Sequence, residues 1–282
     1  DAADVAAAIR AAEDALPGWR RTPAPKRGEI MYAFAALLAQ HKERLARAMT
    51  REMGKVLAEA RGDVQEGVDI AFLMAGEGRR MFGDTTPSEL PDKWAMSVRE
   101  PLGIAGIITP WNFPIAIPCW KMMPALVTGN TVVFKPASDT PHCATLLVEL
   151  MAEAGFPPGT VNLVTGSGDQ VGMPIVESPD VNVISFTGNG ATGRASERAC
   201  WHGRWKSLRH SAGADWKTCP PVTCCRVPQV VKEHRTARLL GGHAMNADAL
   251  KKLTTESLDQ LAALQQLATQ DRDPELKSMA NE

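Results

Sequence analysis

At 282 residues, with a formal net charge of −1 and 44% hydrophobic but only 5% aromatic content, the chain can bury one large aliphatic core or two moderate ones. The balanced charge supplies no basic field for nucleic acid or a membrane surface, and no apolar run reaches the roughly 18–20 residues of a membrane helix. No secretory signal is visible and Cys119 and Cys143 read as buried free thiols, so the expected compartment is the reduced cytoplasm. The sequence opens at Asp1 without a methionine, which reads as an incomplete or processed start.

Residues 4–16 read as a helix that stops at Pro17-Gly18. Residues 26–53 carry Ile30, Phe34, Leu37, Leu38, Leu45 and Met49 at helical spacing, and 55–82 continue helically to Phe82-Gly83. The stretch 84–93 reads as a loop, and 94–103 alternates enough for a strand or hairpin arm. From residue 104 short apolar runs alternate with helical stretches. Strands are expected at 104–109, 131–136, 161–166 and 181–188, with helices at 116–128, 140–154 and 168–177. That alternation implies an α/β fold, a doubly wound parallel sheet covered on both faces and preceded by the N-terminal helices. Ligands of such sheets bind at the carboxyl ends of the strands, so 109–112, 135–138 and 187–190 should converge on one crevice.

Residues 195–245 lack period-2 or period-3.6 patterning, although three of the seven tryptophans and four of the six cysteines fall there. Cys219, Cys224, Cys225, His202, His210, His234 and His243 contain no C-x-x-C pair, so no metal site is expected. Residues 246–270 recover a leucine-rich helical face, and 271–282 are a polar tail. The expected parts are therefore 1–93 helical, 94–103 a hairpin arm, 104–194 the parallel sheet, 195–245 irregular, and 246–282 helix plus tail.

PWNFP at 110–114, PALVTGN at 124–130, FKPAS at 134–138 and VISFTGNGATG at 183–193 resemble the aldehyde dehydrogenase superfamily in order and spacing. The resemblance covers about residues 4–194. It implies a Rossmann-like cofactor domain, with NADP or NAD as cofactor and a small aldehyde as substrate. It also implies homo-oligomers, with 94–103 as an arm of the oligomerisation hairpin whose partner strands are expected in the C-terminal half of the family fold. Asn112 is the catalytic candidate: the family's asparagine here donates its amide to the substrate oxygen, as an oxyanion hole does. On the residues alone, Asn112 could instead cap the helix after Pro114.

The resemblance assigns Thr109, Pro110, Trp111, Lys135, Ser138, Gly166, Gly188, Asn189, Gly190 and Gly193 to the cofactor. Trp111 would wall the crevice and Lys135 would bind the adenosine ribose. Ser138 stands where a glutamate often holds both ribose hydroxyls. It leaves room for a 2′-phosphate, as in NADP-using succinate-semialdehyde dehydrogenases. The alternative is a solvated Lys135 and a Ser138 that caps the next helix. Gly188, Gly190 and Gly193 form G-x-G-x-x-G between strand and helix, suited to a pyrophosphate. Asn189 and Gly190 replace the family's Ser-Thr, and the alternative is a plain glycine helix entry.

The family's E-L-G-G-K and G-Q-x-C strings, which carry the general base and the nucleophile, occur nowhere in the 282 residues. Cys224-Cys225 lacks the Gly-Gln context. Residues 213–219 approach E-L-G-G-K when read one nucleotide later, so the resemblance implies a truncated or frameshifted family member. Such a chain would bind a dinucleotide without oxidising an aldehyde. The alternative is a non-catalytic dinucleotide-binding or subunit-interaction module.

Overall fold

A computed structural model describes residues 1–201 and 206–210, with side chains described through residue 196. All of them fall in one of two units into which the chain divides, Asp1–Val231. The expectations for 246–282 lie outside the described residues.

Helix α1 spans Ala2–Arg21 and begins at a capping box, in which Asp1 accepts from Ala3 N and Asp4 N. It runs through Pro17-Gly18, where the sequence suggests a stop. A proline inside a helix forfeits one backbone bond, but tertiary contacts hold the last turn. Trp19 is buried, and its Nε1 donates to Leu126 O at 3.1 Å. The buried Arg27 guanidinium donates to Trp19 O, Thr22 O and Val127 O, so one cation serves the carboxyl ends of two helices.

The expected helix over 26–53 is two helices, α2 (Ala24–Gln40) and α3 (Lys42–Met53), broken at His41. Gly54 ends α3 in the left-handed region at φ +79. Helix α4 (Leu57–Glu77) stops before the expected Phe82-Gly83. The expected loop at 84–93 contains strand β1 (Thr85–Pro87), which pairs antiparallel with β2 (Trp94–Met96). Among the described residues the 94–103 arm thus has a local partner. Both strands are short and largely exposed, and β1, exposed throughout, shows none of the alternation that marks a half-buried strand.

The central sheet has five parallel strands in the order β5-β4-β3-β6-β7, with β3 (Ile104–Ile108) in the middle. Helix α5 (Ala116–Val127) leads to β4 (Thr131–Lys135), and α6 (Pro141–Glu153) leads to β5 (Val161–Leu163). A π-helical turn at Gly168–Gly172 and the short α7 (Met173–Glu177) precede β6 (Val181–Thr187). One sheet face, through Ala105, Ile107, Val132, Phe134 and Val183, packs on α2–α6. The other, through Ile104, Val133, Ile184 and Phe186, packs on α1 and residues 171–176. Each fully buried side chain of this kind contributes about 1.5–3 kcal/mol. Gly106 is required at the centre: a Cβ there would lie 2.6 Å from Ile184 Cδ1 and 2.8 Å from Ile175 Cγ2.

The irregular stretch expected from residue 195 does not begin there. Helix α8 runs from Gly190 to Trp201, and β7 (Lys206–His210) pairs along β6 from Val183 to Thr187. Seven residues of α8 fall beyond 194, where the family motifs fade although the helix does not. The rest of 195–245 lies outside the described residues.

Candidate dinucleotide and substrate site

The strand register brings three loops to one edge. Ile108 of β3 pairs with Lys135 of β4 on one side and Phe186 of β6 on the other. Neighbouring strands lie about 4.8 Å apart, so Thr109, Pro136 and Thr187 leave the sheet side by side. The chain runs from β3 to β4 on one side, and returns to β6 on the other. The edge beside β3 is therefore the place where the strand order reverses, which is where open α/β sheets bind ligands.

After β3, Thr109 N extends the ladder by donating to Lys135 O at 3.2 Å. Its Oγ1 is buried with no partner. Pro110 is half-buried and Trp111 is 52% exposed. Asn112 does not cap α5. That role falls to Asp63 of α4, whose Oδ1 accepts from Ala116 N at 2.8 Å. Asn112 Oδ1 is buried without a partner, and its backbone oxygen accepts from Lys55 Nζ at 2.8 Å.

After β4, Lys135 is 5% exposed and its Nζ donates to Pro136 O at 2.8 Å. Burial pushes its pKa down, partly opposed by Asp139. Lys135 is therefore not a solvated surface lysine. Ser138 Oγ donates to Gly166 O at 3.0 Å and does not cap α6. Glu52 of α3 serves there, accepting from His142 N at 2.6 Å and Cys143 N at 2.9 Å. Gly166 sits at φ +148, and a Cβ there would meet Val171 Cγ2 at 2.5 Å. The π turn passes the Lys135 stem, with the position of a Cβ on Gly172 at 3.7 Å from Lys135 Cδ.

After β6, a Cβ on Gly188 would lie 2.7 Å from the tip of the Phe186 ring, so a side chain there would displace that ring. Asn189 Oδ1 accepts from Thr192 N at 2.9 Å, and Asn189 O accepts from Gly193 N at 3.0 Å. Asn189 thus caps α8, and its amide nitrogen is the group able to donate outward. A Cβ on Gly190 would meet only Arg194 Nη1, at 3.3 Å.

Three residues of the region escaped the sequence reading. Lys121 is the one charged side chain of the apolar α5, and its Nζ donates to Ser185 Oγ at 2.9 Å. Burial lowers its pKa from 10.5 to about 8. That lone charge was the available signal. Lys55 and Asp63 form an ion pair at 2.9 Å whose side chains are 9% and 0% exposed. Asp63 lies in the buried stripe of Ala60, Val64, Gly67 and Ala71, and an acid in such a stripe was the signal there. Burial pushes the Asp63 carboxyl up against the pull of Lys55. Cys119 and Cys143 are buried free thiols, with burial raising both pKa values, so neither offers a thiolate. Among the described residues no cluster could hold a metal ion, and no helix is long and apolar enough to cross a membrane.

The aldehyde dehydrogenase family model matches residues 1–213, beyond the 194 at which the motifs fade. The chain is 46% identical over 193 residues to the alpha-ketoglutaric semialdehyde dehydrogenase of Bacillus subtilis, covering 68% of this chain and 40% of that protein. It is 44% identical over 194 residues to the NADP(+) succinate-semialdehyde dehydrogenase GabD of Escherichia coli, covering 69% and 40%. A solved NADP dependent enzyme of E. coli superposes with a TM-score of 0.74 at 42% identity, over 75% of this chain and 44% of that one. A betaine aldehyde dehydrogenase of Staphylococcus aureus, solved in complex with NAD+, gives 0.70 at 35% identity, over 72% and 42%. The chain therefore spans about 40% of the length of the curated relatives it matches. On the match to residues 1–213 and the shared parallel-sheet fold, the chain belongs to the aldehyde dehydrogenase family.

Proposed function

We propose that this chain binds NADP+ or NAD+ across the carboxyl edge of β4, β3 and β6. Asn112 would donate to the oxygen of a bound aldehyde, its part in the family reaction, oxidation to a carboxylic acid, which this chain does not complete. The observation that carries the reading is the register Lys135–Ile108–Phe186, which sets the three motif loops side by side. The residues fit a dinucleotide. Buried Thr109 Oγ1 lacks a partner, and Lys135 uses one of its three donors on Pro136 O. Gly188 keeps the backbone of the last turn open to a close approach, and α8 presents first-turn amides suited to a pyrophosphate.

Bound there, the dinucleotide supplies the hydride acceptor. Lys135 holds the adenosine ribose. Neutral Ser138 leaves room for a 2′-phosphate that Lys135 can pair with, which favours NADP+. The Asn112 amide stabilises charge that grows on the aldehyde oxygen. The absence of E-L-G-G-K and G-Q-x-C from the sequence supports binding without oxidation by this chain. The half-exposed Trp94 and Met96 of the β1–β2 hairpin favour a second copy of the chain as a protein partner, and the cytoplasm as the compartment remains part of the same reading.

Calorimetric titration of the full chain tests the assignment. NADP+ is expected to bind at least as tightly as NAD+, and Lys135→Ala to weaken NADP+ roughly tenfold or more, as for a lost hydrogen bond to a charged group. Binding of NAD+ alone, or no effect of Lys135→Ala, contradicts it.

A further inference from the structure

Residues 109–115 join β3 to α5 and belong to neither, yet they carry Asn112. The side chains that hold Asn112 and the entry to α5 come from more than 40 residues earlier in the chain. Lys55 follows the left-handed Gly54 at the end of α3, and its Nζ donates to Asn112 O at 2.8 Å and to Asp63 Oδ2 at 2.9 Å. The same ammonium lies 3.7 Å from the centroid of the Phe113 ring. Asp63 Oδ1 accepts from Ala116 N at 2.8 Å. The pair thus grips the segment at its middle, at Asn112 O, and where it enters α5, at Ala116 N. Both partners are almost fully excluded from water. An ion pair buried this deeply is often no more stabilising than a packed apolar pair, so cohesion alone is a weak account of it.

We propose that Lys55 and Asp63 are positioning residues that clamp residues 112–116 and so aim the Asn112 amide at the substrate oxygen. The proposal rests on the reading of Asn112 as the oxygen-binding donor. Asn112 Oδ1 has no hydrogen-bond partner, so the side chain is not held by its own bonds. Its direction follows the backbone, and at residue 112 the backbone oxygen is held by Lys55. A segment left loose would lose conformational freedom on binding and give up affinity for it.

The test uses the full chain, labelled with 15N in asparagine, with NADP+ present. The Asn112 side-chain signal is identified by its loss in Asn112→Ala. Butanoate, a short carboxylate of the product class, is the probe. In the wild-type chain the Asn112 amide signal is expected to move on titration. Lys55→Met/Asp63→Asn removes both charges but leaves an acceptor for Ala116 N. It is expected to weaken the butanoate response about tenfold, the scale of a hydrogen bond to a charged group, with NADP+ affinity unchanged. Should that variant fail to fold, Lys55→Gln/Asp63→Asn carries the same expectation, because the shorter neutral side chain does not reach Asn112 O. Asp63→Asn alone keeps the Lys55 bond and is expected to retain the response. Loss there as complete as in the double variant overturns the part given to Lys55. An equal response in double variant and wild type overturns the clamp and leaves the Asn112 reading standing. No response in the wild type overturns the Asn112 reading, and the clamp with it.

Discussion

Lys121 shows what burial does to a single cation. Its ordinary pKa of 10.5 falls to about 8 in the fold, because the amine sits in an apolar helix with Ser185 Oγ as its hydrogen-bond partner. The unfolded chain therefore binds more protons than the folded one between these two values, and stability should rise with pH across that window. Burial of Lys135 acts with the same sign. Denaturant midpoints measured below pH 8 and near 10.5 should increase in the wild type. Lys121→Met should flatten most of the increase, and a flat wild-type profile would contradict the burial. At this scale the sequence was a partial guide. The motif residues Thr109, Asn112, Lys135 and Gly188 were singled out from their local strings, and the strand register brings their loops to one edge. Lys55 was not, because its partner Asn112 lies 57 residues away and no local pattern joins them.

The crossover helices raise the same issue one level up. Neither α5 nor α6 caps itself through a side chain. Asp63 caps α5 and Glu52 caps α6, so the N-terminal helices end the two helices that lead away from the site. Sequence reasoning offered Asn112 and Ser138 for those roles because caps are normally local; here they cross 53 and 90 residues. Glu52→Ala should cost about 1–2 kcal/mol, the range of a strong N-cap. Glu52→Gln should cost less, since its carbonyl still accepts. Chemical denaturation of both variants checks the order, and equal losses would contradict the cap. Strands β3, β4 and β6 were legible as apolar runs closed by Gly, Pro or Thr. The passage of α1 through Pro17 was not, because the seat of Trp19 on Leu126 O is a tertiary fact. The hairpin was half legible, since β1 is exposed throughout and carries no pattern.

For the molecule as a whole, alternation of strands and helices was enough to imply the parallel sheet, and sheet topology was enough to imply where its loops converge. The sequence reading ended the fold too early. Helix α8 and β7 continue past residue 194 without a family motif to mark them, and β7 covers the β6 edge that otherwise ends the sheet. The central claim is that the three loops form one dinucleotide site. Hydrogen exchange of the full chain, followed by mass spectrometry with and without NADP+, tests it most directly. Protection is expected together in peptides covering 109–113, 135–140 and 187–193. Protection confined to one of these segments, or located elsewhere in the chain, would contradict the account.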